Sequence, residues 1–433
     1  MLLTFSVGNY RIFRDEVTLD LIRDSLTTLS PRPGSSWSEA VRQVAAVYGA
    51  NASGKSTLLE AINGLRYAVR GHRDILHRPY ALDDRHRLEP TSYAVDFVHE
   101  GARYRYSVEA YSWGIGREEL WQAGARWRKL FVRTQEDADQ DLTMEPGPSL
   151  RGATTEVRRI TTARDLFLAM ALRYEHATLA PVARGLQGIR MIHRDDDERL
   201  ARLQWLMGRL ADGPARWSAL CDAIAVTADL GVMRVGLEER DVPDEVLEEV
   251  RRLLAGDEAE EDIPETILQQ LQRSLVFFHA GADGKERRLP VGAQSQGTLT
   301  WLATMGPAVD ALRLGQTLLV DELDASLHPV LVAELVSMFQ DPEVNRTGAQ
   351  LVFTTHDASL LDNSPTQLLE AGEVWLCEKN NEGASDLFSL SDFSTTRKGT
   401  NKQRRYLAGA FGAVPRVDTS GIRRLLRTEG SEG

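Results

Sequence analysis

The apolar and polar positions of the chain change period several times, and each change predicts an element. Residues 2–21 alternate as two short strands that meet at Asn9–Tyr10. Gln43–Ala50, "QVAAVYGA", is a continuous apolar run, the pattern of a short strand buried on both faces. From Lys55 to about Val69 the period becomes helical, with Leu58, Leu59, Ile62 and Leu65 on one face. Alternation returns in "SYAVDFVHEGARYRYSVEAY", a hairpin turning at His99–Gly101, and continues through "GREELWQAGARWRKLFVR". Between residues 163 and 274 the spacing is helical again, in "ARDLFLAMALRY", "ERLARLQWLMGRLA", "PDEVLEEVRRLLAGDEAEED" and "ETILQQLQRSL", the third with an acidic face. Strand patterns resume at "SLVFFHA", "TLLVDELD", "AQLVFTTHD" and "EVWLCEK". Two of these are apolar runs ending in charged or polar residues, as expected of parallel strands with a site at their carboxyl ends.

The expected class is α/β, a mixed sheet with an antiparallel β-subdomain, interrupted by a helical insertion. The expected segments are a first lobe at 1–162, the insertion at 163–274, a second lobe at 275–395 and a basic C-terminal segment at 396–433. No repeat with a period of 20–50 residues interrupts this order.

Composition narrows the picture. The chain has 433 residues, 42% of them hydrophobic and 26% charged, enough for two or three compact globular units. No apolar run reaches about 18 residues and the start has no basic n-region, so neither a membrane span nor a signal peptide is expected. Cys221 and Cys377 stand far apart in apolar surroundings, as buried free thiols of a cytoplasmic protein would. A net charge of −12 argues against a general nucleic-acid coat. The charge is uneven, however: acids dominate Glu238–Asp262, and nine Lys or Arg face one acid, Asp418, between Arg397 and Arg427. Either run can be a solvated surface, and the basic one can dock nucleic acid or an acidic partner.

The candidate chemistry begins at "GANASGKST", Gly49–Thr57. Gly49, Asn51, Ala52, Ser53, Gly54, Lys55 and Ser56 fall within the G-x-x-x-x-G-K-[ST] phosphate loop, between a strand and a helix. Backbone N–H groups curl round a phosphate, the helix N-terminus adds partial positive charge, Lys55 reaches the β/γ-phosphates and Ser56 ligates Mg²⁺. Asp321, at the end of an apolar run, can hold Mg²⁺, and Glu322 beside it can polarise the attacking water. His356 follows another strand end and reads as a γ-phosphate sensor, against the alternative of a surface or structural histidine. Ser295, Gln296 and Gly297 open a helical pattern, either as an anion-facing corner or, for Ser295, as a simple helix cap.

Phosphate loop, Ser-x-Gly cluster, Asp-Glu, "DASLHP" and His occur in that order, which resembles the ABC-type ATPases of the branch shared by chromosome-maintenance and DNA-repair ATPases. The "NYRIF", "DELDASLHP", "QLVFTTHD" and "YLAGAFGAVP" stretches narrow the resemblance to the AAA-type ATPases of bacterial abortive-infection and anti-phage systems, related to overcoming-lysogeny-defect ATPases. The resemblance implies a P-loop NTPase fold of the ABC-head type using ATP and Mg²⁺. It also implies a homodimer or higher homo-oligomer whose Ser295, Gln296, Gly297 and Asp324 complete the partner protomer's ATP site. A separate nuclease-like effector, with nucleic acid or a phage protein as trigger, and no membrane, complete the expectation. Two other readings are a DNA-repair ATPase with ATP-gated DNA binding and an ATP-dependent scaffold with little turnover. The chain departs from the family at Gln294, where Glu is usual, and at Leu368–Ala371, where a basic pair is usual. It also lacks an identifiable Gln contact for Mg²⁺, and no nuclease-like acidic arrangement follows His356.

Overall fold

The computed structural model describes residues 1–72, 75–193, 196–227, 231–255, 263–363, 367–393, 401–415 and 418–429. Parts of the acidic run and of the basic segment, residues 256–262, 394–400, 416–417 and 430–433, lie outside the described residues. The chain forms two compact units, residues 1–190 with 350–433, and residues 191–349.

In the first unit, a seven-stranded antiparallel sheet runs in the order Val17–Asp20, Leu2–Gly8, Thr91–His99, Ala102–Tyr111, Gly114–Ala123, Trp127–Thr134, Thr143–Pro146. Its alternating strands bury Phe5, Val7, Val95, Tyr106, Leu120 and Phe131, the expected one-sided pattern of an antiparallel sheet. Beside it in the same unit Val44–Gly49 is flanked by Gln350–Thr354 and Val374–Lys379, both parallel to it. Every residue of Val44–Gly49 is buried, as the unbroken apolar run predicts. Ser385–Ser389 closes that edge antiparallel, so the sheet is mixed. The helix Lys55–Val69 buries Leu58, Leu59, Ile62 and Leu65, the predicted face. The expected class, an α/β P-loop fold with a mixed sheet and an antiparallel β-subdomain, is the class observed.

The compact units divide the chain elsewhere than the four expected segments. Residues 163–190, expected at the start of a helical insertion, belong to the first unit. A long-range tie explains why. Glu118, on a β-subdomain strand and wholly buried, accepts the N–H groups of Phe167 (2.6 Å) and Leu168 (2.8 Å), the opening residues of the helix Phe167–Arg173. It also accepts the Tyr106 hydroxyl (2.8 Å) and faces the equally buried Arg133 guanidinium at 3.4 Å. The carboxylate therefore caps a helix that has no cap of its own.

The second unit is not purely helical up to residue 274. Val232–Glu239 is a strand, paired antiparallel with Arg273–Ala280, which in turn pairs with Glu286–Pro290. Against these strands' unit pack the helices Asp196–Asp212, Pro214–Thr227 and Gln296–Leu314. Trp301, fully buried, donates its Nε1–H to the Ile224 carbonyl at 3.0 Å, and Trp205 meets Trp217 edge to face at 5.5 Å. Gly306 lets the Trp205 ring approach, since a Cβ there would lie 3.1 Å from its Cζ3. The strand Thr317–Val320 and the helix Pro329–Gln340 complete the unit.

Candidate nucleotide site

The phosphate loop leaves the carboxyl end of Val44–Gly49 and enters the helix at Lys55. That helix starts at Gly54 (φ 112°) with no side-chain cap, so its first N–H groups have no side-chain acceptor and face outward for an anion. The loop tolerates little extra volume. A Cβ on Gly49 would lie 2.4 Å from both the Cys377 carbonyl and Ser53 Oγ, and one on Gly54 would lie 2.9 Å from Ile12 Cδ1. Ala52 sits in the left-handed region at φ 58°. Lys55 is 6% exposed, and its ammonium donates to the Gly49 and Ala50 carbonyls at 3.0 Å each, holding the amine inside the curl of the loop. Ser53 is 1% exposed and its hydroxyl has no hydrogen-bond partner among the described residues. A buried donor without an acceptor, an uncapped helix N-terminus and a cradle with no room for a Cβ at Gly49 or Gly54 are what a bound phosphate would satisfy. Asn51 is exposed at the loop tip, and Ser56 and Thr57 are half-buried in the first helical turn.

Cys377, absent from the candidates, supports this loop from the neighbouring strand. Its thiol donates to the Ser53 carbonyl at 2.8 Å, and burial pushes its pKa up to about 12. His356 follows the other flanking strand and is exposed. The turn there is pinned to the phosphate-loop strand: Thr355 N–H donates to the Val47 carbonyl at 3.2 Å, and the Tyr48 hydroxyl to the Asp357 carbonyl at 3.2 Å.

The second unit gathers the remaining candidates. A cavity of about 200 Å³ is lined by Gln296 and Thr300 on one helix and by Asp321, Glu322 and Ser326 in the loop after Thr317–Val320. Glu322 has φ 50° and Ser326 φ 63°, left-handed values that non-glycine residues adopt at some cost. The turn is held by Ala325 N–H on the Glu322 carbonyl (2.9 Å) and Leu327 N–H on the Asp324 carbonyl (3.3 Å). Asp321 N–H donates to the Ile192 carbonyl at 3.0 Å.

Ser295 is the N-cap of Gln296–Leu314; its Oγ accepts the Thr298 N–H at 3.1 Å. Gly297 lies against the same loop, since a Cβ there would be 3.2 Å from the Ser326 carbonyl. Sequence reasoning missed three cavity residues: His193, Arg199 and Arg202. Arg202 donates to the His193 carbonyl at 3.1 Å, its Nε is buried with no hydrogen-bond partner among the described residues, and burial lowers its pKa. The i, i+3 spacing of the two arginines was visible, but it reads equally as the polar face of an amphipathic helix. The Gln294 amide oxygen accepts from the His279 ring Nε2 at 3.1 Å.

Among the described residues no three His, Cys, Asp or Glu side chains cluster to hold a metal by themselves. No described helix is long and apolar enough to cross a membrane.

Residues 228–362 match a family described as "AAA domain, putative AbiEii toxin, Type IV TA system". The match takes in the Ser295–Gly297 corner, the Asp321–Glu322 pair and His356, but not the phosphate loop, which stands on its own geometry. No curated protein matches the chain. Among solved structures it is similar to an SMC head domain from Thermotoga maritima, at 13% identity and TM-score 0.39, covering 90% of this chain and 98% of that one. It is also similar to an Smc head with an extended coiled coil bound to the C-terminal domain of ScpA, derived from Pyrococcus furiosus, at 12% identity and TM-score 0.41, covering 90% and 96%. Values this low transfer no function.

Proposed function

We propose that the chain is an ATP-binding and ATP-hydrolysing subunit of a bacterial anti-phage system, acting on a separate effector. The phosphate loop carries the nucleotide part of the reading: an uncapped helix N-terminus, an unsatisfied buried Ser53 hydroxyl and Lys55 folded into the curl. Ser56 and Asp321 are the donors for Mg²⁺, whose contribution when bound is to neutralise charge on the phosphates. Glu322 takes a proton from the attacking water, and His356 senses the γ-phosphate. Ser295, Gln296, Gly297 and Asp324 complete the site of a second protomer in a head-to-tail homo-oligomer. The exposure of Ser295 and Gln296 supports that role. The matched family's description, with its putative AbiEii toxin and Type IV TA system, supports the defence setting.

The test is phosphate release and mass in solution, with and without ATP. Glu322→Gln should lower turnover by about 10²–10⁴-fold while holding an ATP-bound dimer or larger assembly together, and Lys55→Ala should abolish both binding and assembly. A monomer under every condition would sink the composite site, and undiminished turnover in Glu322→Gln would sink its general base.

A further inference from the structure

A second cleft opens in the first unit, at the far end of the phosphate-loop helix. Its volume is about 350 Å³, within the range of small-molecule sites. The floor is apolar and buried: Leu76, Leu166, Ala169 and Met170. The mouth is cationic and exposed: Arg70, His72, Arg164 and Arg173. The Arg70 Nε donates to the Gln187 amide oxygen at 2.5 Å, and the Arg173 guanidinium lies 5.8 Å from the Tyr174 ring; neither has a carboxylate partner among the described residues. One carboxylate, Asp165, also lines the cleft, and its Oδ2 accepts the Thr162 N–H (3.0 Å) and hydroxyl (2.6 Å).

The turn that presents Arg164 is fixed from beneath. The fully buried Arg133 donates to the carbonyls of Thr162 (3.2 Å), Ala163 (3.3 Å) and Asp165. Ile115 N–H donates to Ala163 at 2.9 Å, and Gly114 leaves room for that carbonyl, which a Cβ would meet at 2.4 Å. Such support preorganises a cation on its surface. Arg164 and Leu76 also line an adjoining cavity of about 190 Å³, with Tyr111 and Ser112 on its wall. Tyr111 stacks on Trp113 at 5.5 Å and 16°, offering a flat aromatic surface next to the arginines.

We propose that this cleft binds an organic phosphate of the nucleotide class, at a site separate from the phosphate loop. Guanidinium forks take the phosphate, which they match in charge and geometry. The apolar floor and the Tyr111 wall take the base.

The probe is trinitrophenyl-ATP, counted per chain by equilibrium dialysis of the full-length protein. The expected result is two classes of site in the unaltered chain. Lys55→Ala removes one and leaves the other. Arg164→Glu, or Arg70→Glu, weakens the second by about tenfold or more, the loss of a charge-assisted contact, and leaves the first intact. Both arginines are exposed, so thermal unfolding should be unchanged, and Arg164→Lys should bind with intermediate affinity. A single class of site that vanishes in Lys55→Ala overturns the proposal. So does a second class indifferent to both arginine reversals. Failure of the phosphate loop alone would instead appear as a surviving site that depends on Arg164.

Discussion

Two glycines on one helix should respond to the same substitution with opposite signs. Gly54 opens Lys55–Val69 at φ 112°. An added Cβ would lie 2.9 Å from Ile12 Cδ1, 3.0 Å from Phe13 Cζ and 3.2 Å from Cys377 Sγ. Phe13 and Cys377 are both 0% exposed, so neither can retreat into solvent. Holding an alanine in that backbone region costs about 1–3 kcal/mol. Overpacking against a filled core costs about 1–3 kcal/mol more, so Gly54→Ala should destabilise by roughly 2–6 kcal/mol. The same push displaces the loop that Cys377 braces through Ser53, so ATP affinity should fall with stability. Gly64 sits mid-helix with no atom within 4 Å of a built Cβ. Alanine there restricts the unfolded chain and should stabilise by about 0.5–1 kcal/mol, with ATP affinity unchanged. Guanidinium unfolding followed by circular dichroism gives the midpoints, and calorimetric titration with ATP gives the affinities. Gly54→Ala with a normal midpoint and normal affinity would refute the reading of the loop as a close-packed cradle.

Glu118→Gln keeps the shape but removes the counter-charge of the buried Arg133, and should lower stability by about 3–5 kcal/mol, measured by urea unfolding. The Cys221 and Cys377 thiols are both pushed up from 9.0 to about 12 by burial. Below pH 9 they are neutral in the folded and unfolded chains alike, and stability is undiminished. From pH 9 towards 12 the unfolded chain ionises first and binds fewer protons than the folded one, so stability falls as pH rises. Replacing both cysteines with alanine should flatten that alkaline slope relative to the unaltered chain, as read by denaturant midpoints at stepped pH. Gln296→Ala should leave thermal unfolding within about 0.5 kcal/mol of the unaltered chain and weaken ATP-driven assembly in the Glu322→Gln background, as read by light scattering.

The strand, phosphate loop and helix around Lys55 were legible because each is a local pattern. A continuous apolar run precedes the loop, glycines punctuate it, and a 3.6-residue period follows. What sequence could not give was long-range. The strand Val232–Glu239 exposes Met233 and Arg234 together, so it has no clean alternation; its pairing with Arg273–Ala280 makes it a strand. The helix Phe167–Arg173 looks like the start of an insertion until Glu118, some fifty residues upstream, is seen to cap it. Arg199 and Arg202 have ordinary helical spacing, and only folding brings them to the cavity that Asp321 and Glu322 line.

The Ser295–Gly297 corner shows how a functional reading and a local one can share residues. Its cap accounts for Ser295, because a hydroxyl there accepts the Thr298 N–H whatever lies outside. Close packing on the Ser326 carbonyl accounts for Gly297 within a single chain. Neither residue therefore discriminates between a helix start and a contact with another protomer's nucleotide. Gln296 does. It is exposed, and no cap or packing contact among the described residues requires a glutamine there. If the corner serves only its own helix, Gln296 is replaceable without consequence. If it reaches another protomer's phosphates, its amide is the donor that folding leaves available, and its loss should be felt in assembly rather than in stability.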